Sequence, residues 1–468
     1  MQMNLTRLAG ALILASALAG CAAVVKSPYQ APALQMPADF QNSKALSRQV
    51  QAGAYADQWW TLFGDAQLNQ LIQQAFNANS DLTAAGINLQ TARLKAGLAQ
   101  NKQGLRASSS ASAGHNIDLH SGDDASRGLS LSAGVSYELD LFGKLARQTE
   151  AAKWEALASE QDLQATAQSL VGTAASLYWQ LGYLNERSAI AAQNLATAQK
   201  TYELVRAQYR AGAVSGLDLT QAEQSVQSQK SALSQTAQLQ VQARTALAAL
   251  LNQPVQQLNI AEPQRLPRIA LPEIASGLPA ELLSRRPDLQ ASELRLRKAL
   301  AAKDAVKAGY YPSISLTGNL GASSTALSSL LQNPALTLGA SLSLPFLQYN
   351  DMKKDLAVSD LEYEKAIIQH RQTLYQAFAD VENALSARTE LSQQVQLQQR
   401  NLELAEKVER LTQVRYRYGA VALKTLLDQQ ETTRTARLTL VNTKQSQYNA
   451  YVTLMQALGG SPIQQLPK

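Results

Sequence analysis

Two kinds of segment in this chain predict an α+β membrane protein, in which bilayer-length β-strands join very long α-helices. The first is strict apolar/polar alternation over about ten residues, the length a tilted strand needs to cross a bilayer. The second is a proline-free run of roughly 68 residues whose apolar positions recur at heptad spacing. A third observation organises the other two. Both kinds of segment occur twice, at an offset of about 205 residues, so the chain contains an internal two-fold sequence repeat.

Composition removes several function classes. Of 468 residues, 46% are hydrophobic, 17% charged and only 6% aromatic, a balance typical of long helix-on-helix structures. The net charge of +6 is scattered, without the clustered Lys/Arg that a nucleic-acid interface needs. One cysteine excludes a disulfide framework and a Cys-based zinc site. His115, His120 and His370 lack the spacing of a metal motif, so no metal and no cofactor are expected. No stretch of 18 apolar residues is present to form a membrane-spanning helix. No phosphate-binding glycine loop, HExxH or nucleophile motif marks an enzyme.

The elements follow in order. Residues 1–20 carry Arg7, then an apolar stretch from Leu8 to Leu18, and read as a signal peptide. Leu18-Ala19-Gly20-Cys21 matches a lipobox, which makes Cys21, the chain's single cysteine, the lipidation site. Residues 21–57 are expected to be a lipidated, extended N-terminal segment. The first repeat, 58–252, holds strands at about 106–119 and 128–141. In the second of these Leu129, Leu131, Ala133, Val135, Tyr137 and Leu139 alternate with Ser130, Ser132, Gly134, Ser136 and Glu138. A proline-punctuated connector covers 253–280. The second repeat, 281–460, holds strands at about 312–322 and 334–346, where Leu336, Leu338, Ala340, Leu342 and Leu344 alternate with Thr337, Gly339, Ser341 and Ser343. Residues 461–468 form a tail. A soluble sandwich would carry more charge on the polar face. Four strands cannot close a barrel, and open edges are not tolerated in lipid, so several copies must share one barrel.

From Lys144 to about Ala211 there is no proline, and at 1.5 Å per residue this run makes a helix of about 100 Å. Leu163, Leu170, Leu177 and Leu184, with Ala167, Ala174 and Leu181, form its seam; Tyr363, Ile367, His370, Leu374, Phe378, Val381 and Leu385 form the second. His370 is a packing residue on this reading. Each long helix turns at a glycine, within Tyr209-Arg210-Ala-Gly212-Ala213-Val214 and Tyr416-Arg417-Tyr-Gly419-Ala420-Val421, and partner helices follow at about Leu217–Leu251 and Val421–Leu458.

Several motifs resemble the outer-membrane factor (TolC-like) family, in particular its lipoprotein branch linked to RND pumps. They are Trp60-Thr-Leu-Phe63-Gly-Asp65, Asn79-Ser-Asp81-Leu82, Tyr137-Glu-Leu-Asp140-Leu-Phe-Gly143-Lys144, Ser284-Arg-Arg286-Pro287-Asp288-Leu289, Tyr311-Pro312-Ser313-Ile-Ser-Leu-Thr-Gly318 and Leu458-Gly459-Gly460. The sequence departs from the pattern twice. Leu105-Arg106-Ala107 has no proline before the first strand, and Pro345-Phe-Leu-Gln-Tyr-Asn350 has no glycine before the second long helix.

The resemblance implies a homotrimer: a twelve-stranded barrel, four strands per chain, in the outer membrane, continued by a periplasmic α-helical barrel with a mixed equatorial domain. It implies a passive exit duct for drugs or other small toxic compounds, opened by a periplasmic adaptor and an inner-membrane RND or ABC pump. A type I protein-secretion duct and a structural coiled-coil envelope lipoprotein are the competing readings. It also implies that the turns close the pore, with Gly212 and Gly419 at their tips. The expected gate residues are Asp218, Lys424, Asp428, Arg206, Arg210, Arg415 and Arg417. Asp218 and Asp428 are expected to tie the turns together through these arginines, and Lys424 to reduce cation preference while pairing with Asp428 at i,i+4.

Overall fold

The computed structural model describes residues 25–32, 40–42, 58–117, 124–267, 271 and 280–460, without the side chains of 116–127 and 280–282. The signal peptide, Cys21 and most of the 21–57 segment, strand residues 118–119, connector residues 268–270 and 272–279, and the 461–468 tail lie outside the described residues. The chain is mostly helical with one small antiparallel sheet, and it divides into two units. The first comprises Met1–Leu34, Gly86–Gln161 and Gln290–Thr373; the second comprises the rest.

The same order of elements occurs twice. Helices α1 (Ala66–Ala78) and α2 (Ser80–Asn101) lead into β1 (Arg106–Ile117) and β2 (Asp124–Leu139), then α3 (Lys144–Arg210) and α4 (Gly216–Leu250). Helix α5 (Pro287–Gly309) leads into β3 (Ser313–Ser324) and β4 (Pro334–Ser343), then α6 (Tyr349–Arg417) and α7 (Leu423–Ala457).

The first unit contains the sheet, ordered β1-β2-β3-β4 with every neighbour antiparallel. The register places the apolar residues together. Val135 faces Ala107 and Gly318, Leu131 faces Ala111 and Ala322, and Leu320 faces Leu336. These side chains stand exposed, Leu336 at 68% and Leu338 at 79%. On the other face hydroxyls pair across strands at 2.7–2.8 Å: Ser110 with Ser132, Ser112 with Ser130, Ser315 with Ser341. Apolar side chains in the open and polar ones paired together reverse the pattern of a sheet built to pack on a core.

The strand ends differ from the sequence reading for local reasons. β2 starts at Asp124, not 128, because its pairing with β1 continues to Ile117 opposite Asp124. It stops at Leu139, not 141, because Asp140 caps α3, accepting from Leu145 N at 3.0 Å and Ala146 N at 2.7 Å. β4 ends at Ser343, not 346, since Pro345–Leu347 forms a 3-10 turn. That turn replaces the missing glycine: the first junction passes through Gly143 at φ +77°, whereas the second has no left-handed residue.

The N-terminal arm also docks in this unit. Asp304, 2% exposed, accepts from Ser27 N at 2.8 Å and Ser27 Oγ at 2.7 Å, and the Arg297 guanidinium lies 4.3 Å over the Tyr29 ring. Ser292 pairs with His370 Nδ1 at 2.8 Å, and burial lowers the His370 pKa, as suits a packing residue.

The second unit contains an aromatic core. Trp59, Trp60, Phe63, Trp179, Tyr448 and Tyr451 pack with ring centroids 4.9–6.4 Å apart, each pair contributing about 0.5–1.5 kcal/mol beyond area burial. Asp65 caps α1 through Gln67 N and Leu68 N and also accepts from Tyr178 Oη at 2.9 Å. Burial, then the Asp65 hydrogen bond, raises the Tyr178 pKa. The seam of α3 is buried at Ala167, Leu170, Ala174, Leu181 and Leu184, and that of α6 at Leu374, Val381 and Leu385. Small alanines on α3 let helices approach closely. Arg286 bridges Asp288 at 2.7 Å and Asp380 at 3.1 Å, which accounts for the Arg-Arg-Pro-Asp-Leu motif at the start of α5.

Candidate functional site

The two helix turns lie together in the second unit, on a cluster of Val205, Ala222, Tyr416, Leu423 and Leu426 that draws on α3, α4, α6 and α7. Each long helix ends in the same double closure. In the first turn Ala213 N donates to Gln208 O at 2.8 Å and Gly212 N to Tyr209 O at 3.0 Å. In the second, Ala420 N donates to Arg415 O and Gly419 N to Tyr416 O, both at 2.9 Å. This is the Schellman pattern, which needs a left-handed residue. Gly212 at φ +72° and Gly419 at φ +71° supply it.

The side chains diverge after the glycine. In the first turn Ser215 caps α4, and Asp218 completes a capping box by accepting from Ser215 N at 3.0 Å and Ser215 Oγ. Those two hydrogen bonds hold the Asp218 carboxyl below the usual carboxylate range. In the second turn Ala422 is the N-cap and offers no side-chain bond. Lys424 reaches Asp428 at 3.0 and 2.9 Å instead, one turn along α7, with both side chains well exposed.

The expected cross-tie between turns is not formed within the chain. Asp218 is taken up by the start of its own helix, because an uncapped helix start leaves its N–H donors unsatisfied. Asp428 turns to Lys424, and Arg206 turns to Glu203 at 3.6 Å. Arg210, Arg415 and Arg417 are exposed, and among the described residues none has a carboxylate partner. Among the described residues the polar bond that joins the turns is Tyr416 Oη to Gln208 Oε1 at 2.9 Å. Burial, then the charge of Asp218, raises the Tyr416 pKa. Sequence reading placed Tyr209 and Tyr416 in the two turn motifs but gave Tyr416 no role; Tyr209 is 47% exposed and Tyr416 8%. It also missed the capping box, whose Ser-x-x-Asp spacing was legible. Cys21, the expected lipidation site, lies outside the described residues.

Comparison with known proteins places these features in a family. The sequence matches the family described as Outer membrane efflux protein over residues 71–253 and again over 278–460. The pyoverdine export outer membrane protein OpmQ of Pseudomonas aeruginosa is 32% identical, the alignment covering 86% of this chain and 87% of OpmQ. The toluene efflux pump outer membrane protein TtgC of Pseudomonas putida is 31% identical, over 96% of this chain and 94% of TtgC. Among solved structures, the outer-membrane channel OprN superposes with a TM-score of 0.83 at 27% identity, covering 93% of this chain and 98% of OprN.

Proposed function

This chain belongs to the outer membrane efflux protein family, and on that premise we propose that three copies form the exit duct of a tripartite efflux system. In this reading each chain contributes four strands to one twelve-stranded barrel in the outer membrane. The paired turns form the periplasmic entrance, and Cys21 carries an N-terminal lipid as an auxiliary anchor. A periplasmic adaptor opens the entrance, an inner-membrane pump supplies the energy, and the chain itself does no catalysis. Cargo is a small toxic or exported compound, the class that the names of the relatives indicate.

The observation that carries the reading is the sheet. It exposes a leucine face, pairs hydroxyls on the other, and ends in the two unpaired edges β1 and β4. Lipid accepts the first feature and water the second, but lipid does not accept the open edges. A β1 edge from one copy against a β4 edge from the next removes them all in a closed ring. The flanking helices suit the same contact. α2, which leads into β1, exposes Ile87, Leu94 and Leu98; α6, which follows β4, exposes Val358, Leu361 and Ile368. Second copies of the chain would cover these stripes.

Purified protein added to a planar bilayer tests this directly. Stepwise conductance from a species whose cross-linked mass is that of three chains is expected. A monomer that inserts without conductance would overturn it.

A further inference from the structure

The hydroxyl face of the sheet is more restricted than a water-filled pore requires. From Ser108 to Gly114 on β1, Gly128 to Ser136 on β2, Ser313 to Ser323 on β3 and Thr337 to Ser343 on β4, every residue on this face is Ser, Thr, Asn or Gly. Within these limits the largest side chain is Asn319, opposite Gly134 and Thr337. Three serine pairs bond across the strands, so these hydroxyls are held against the wall.

Just beyond the helix-side end of these limits, ionisable groups enter together; at the other end β2 begins with Asp124 and carries Arg127 opposite His115. Arg106, the first residue of β1, sits opposite Ser136, and Glu138 sits opposite Ser315 next to the end of β2. Lys144, the first residue of α3, approaches Glu138 at 3.9 Å. All three belong to the stretch where strands become helices, and each recurs three times in a trimer.

Resting on the barrel reading above, we propose that Arg106, Glu138 and Lys144 form the barrel's charge-selecting ring at its helix-side end and that the wall within those strand limits is charge-blind. A wall of small hydroxyls leaves a solute its hydration shell and presents no fixed charge. The barrel therefore passes bulky polar solutes of either sign, and discrimination by charge happens where they enter it. Fixed charges in a low-dielectric wall focus their field into the lumen, so within the barrel this ring sets ion preference, in series with the charges at the turns, while the serines do not.

Reversal potentials of single trimers in a salt gradient test the assignment. At about 0.01 M salt the Debye length is about 30 Å, and at 1 M about 3 Å, so a field effect is large in the first and absent in the second. Arg106→Gln is expected to shift the permeability ratio severalfold toward cations at low salt, and Glu138→Gln severalfold toward anions. Both shifts vanish at high salt. Ser132→Asn, a neutral change on the wall, leaves the ratio at the wild-type value. As a check that does not depend on the ring variants folding, the thiol of Ser132→Cys is expected to react with cationic and anionic thiosulfonates at the same rate, relative to a free thiol. Conducting trimers with an unchanged ratio in both ring variants, or a tenfold charge preference of the thiol introduced by Ser132→Cys, would overturn the assignment alone. Wild-type protein without conductance would overturn the barrel reading and the ring with it.

Discussion

At Gly212 the chain passes from α3 to α4, and at Gly419 from α6 to α7, with nearly equal φ angles and the same pair of closing hydrogen bonds. Beyond the glycine the repeat-related positions have diverged. Ser215 and Asp218, which form the capping box, correspond to Ala422 and Thr425; exposed Leu217 corresponds to Lys424. One turn is therefore fastened by its own helix start. The other has no cap: a solvent-exposed ion pair runs along α7, and Tyr416 packs beneath it with Leu423 and Leu426. The two turns share the backbone that makes a turn and differ in the side chains beyond it.

The largest expected effect treats the turns alike. Alanine in place of Gly212 or Gly419 meets no atom within 4 Å, so it costs only left-handed backbone strain, about 1–2 kcal/mol per chain. Trimer melting should fall equally in Gly212→Ala and Gly419→Ala. Unequal losses would mean that the shared backbone is not an equivalent one.

Next comes the cap. Ser215→Ala should cost about 1 kcal/mol and raise amide exchange over the first turn of α4. The converse change, Ala422→Ser, should slow exchange at the start of α7. If neither shift is seen by hydrogen exchange, the capping contrast has no energetic content.

The pH dependence follows from the same box. The folded pKa of Asp218 is depressed, so its contribution is complete above the ordinary carboxylate value and is lost as pH falls through the lower folded one. Protection at residues 216–219 should hold from neutral pH down to the ordinary carboxylate range and fail below it. In Ser215→Ala that protection should lose this acid dependence.

The smallest effect is that of Lys424→Ala. An exposed pair is worth about 0.2–1 kcal/mol, so stability should barely change, while the cation-to-anion permeability ratio of the trimer should rise. An unchanged ratio would remove Lys424 from the entrance.

How far the sequence disclosed all this depends on the range of the interaction. Strand faces were legible because alternation is local: the leucines of 129–139 and 336–344 repeat every second residue whatever they later pair with. The seams and the glycine turns were legible for the same reason. Strand ends were less so, because Asp140 ends β2 by reaching forward to Leu145 and Ala146, and a proline takes over at 345. At the turns the charged positions could be read but not their partners. A carboxylate with an arginine nearby in sequence looks paired to it, yet Asp218 is used by the start of its own helix. Nothing local distinguishes Tyr209 from Tyr416; only packing against α4 and α7 does. The docking of Ser27 on buried Asp304, 277 residues away, was invisible for the same reason.

The central proposal is that the second turn is the movable gate and that Asp428 keeps it shut in the trimer. The most direct measurement is the resting single-channel conductance of Asp428→Ala beside Ser215→Ala, each compared with wild type at matched trimer levels. Asp428→Ala is expected to conduct severalfold more and to admit large antibiotics, while Ser215→Ala stays at the wild-type resting level. Unchanged conductance in Asp428→Ala, or a larger rise in Ser215→Ala, would contradict the account.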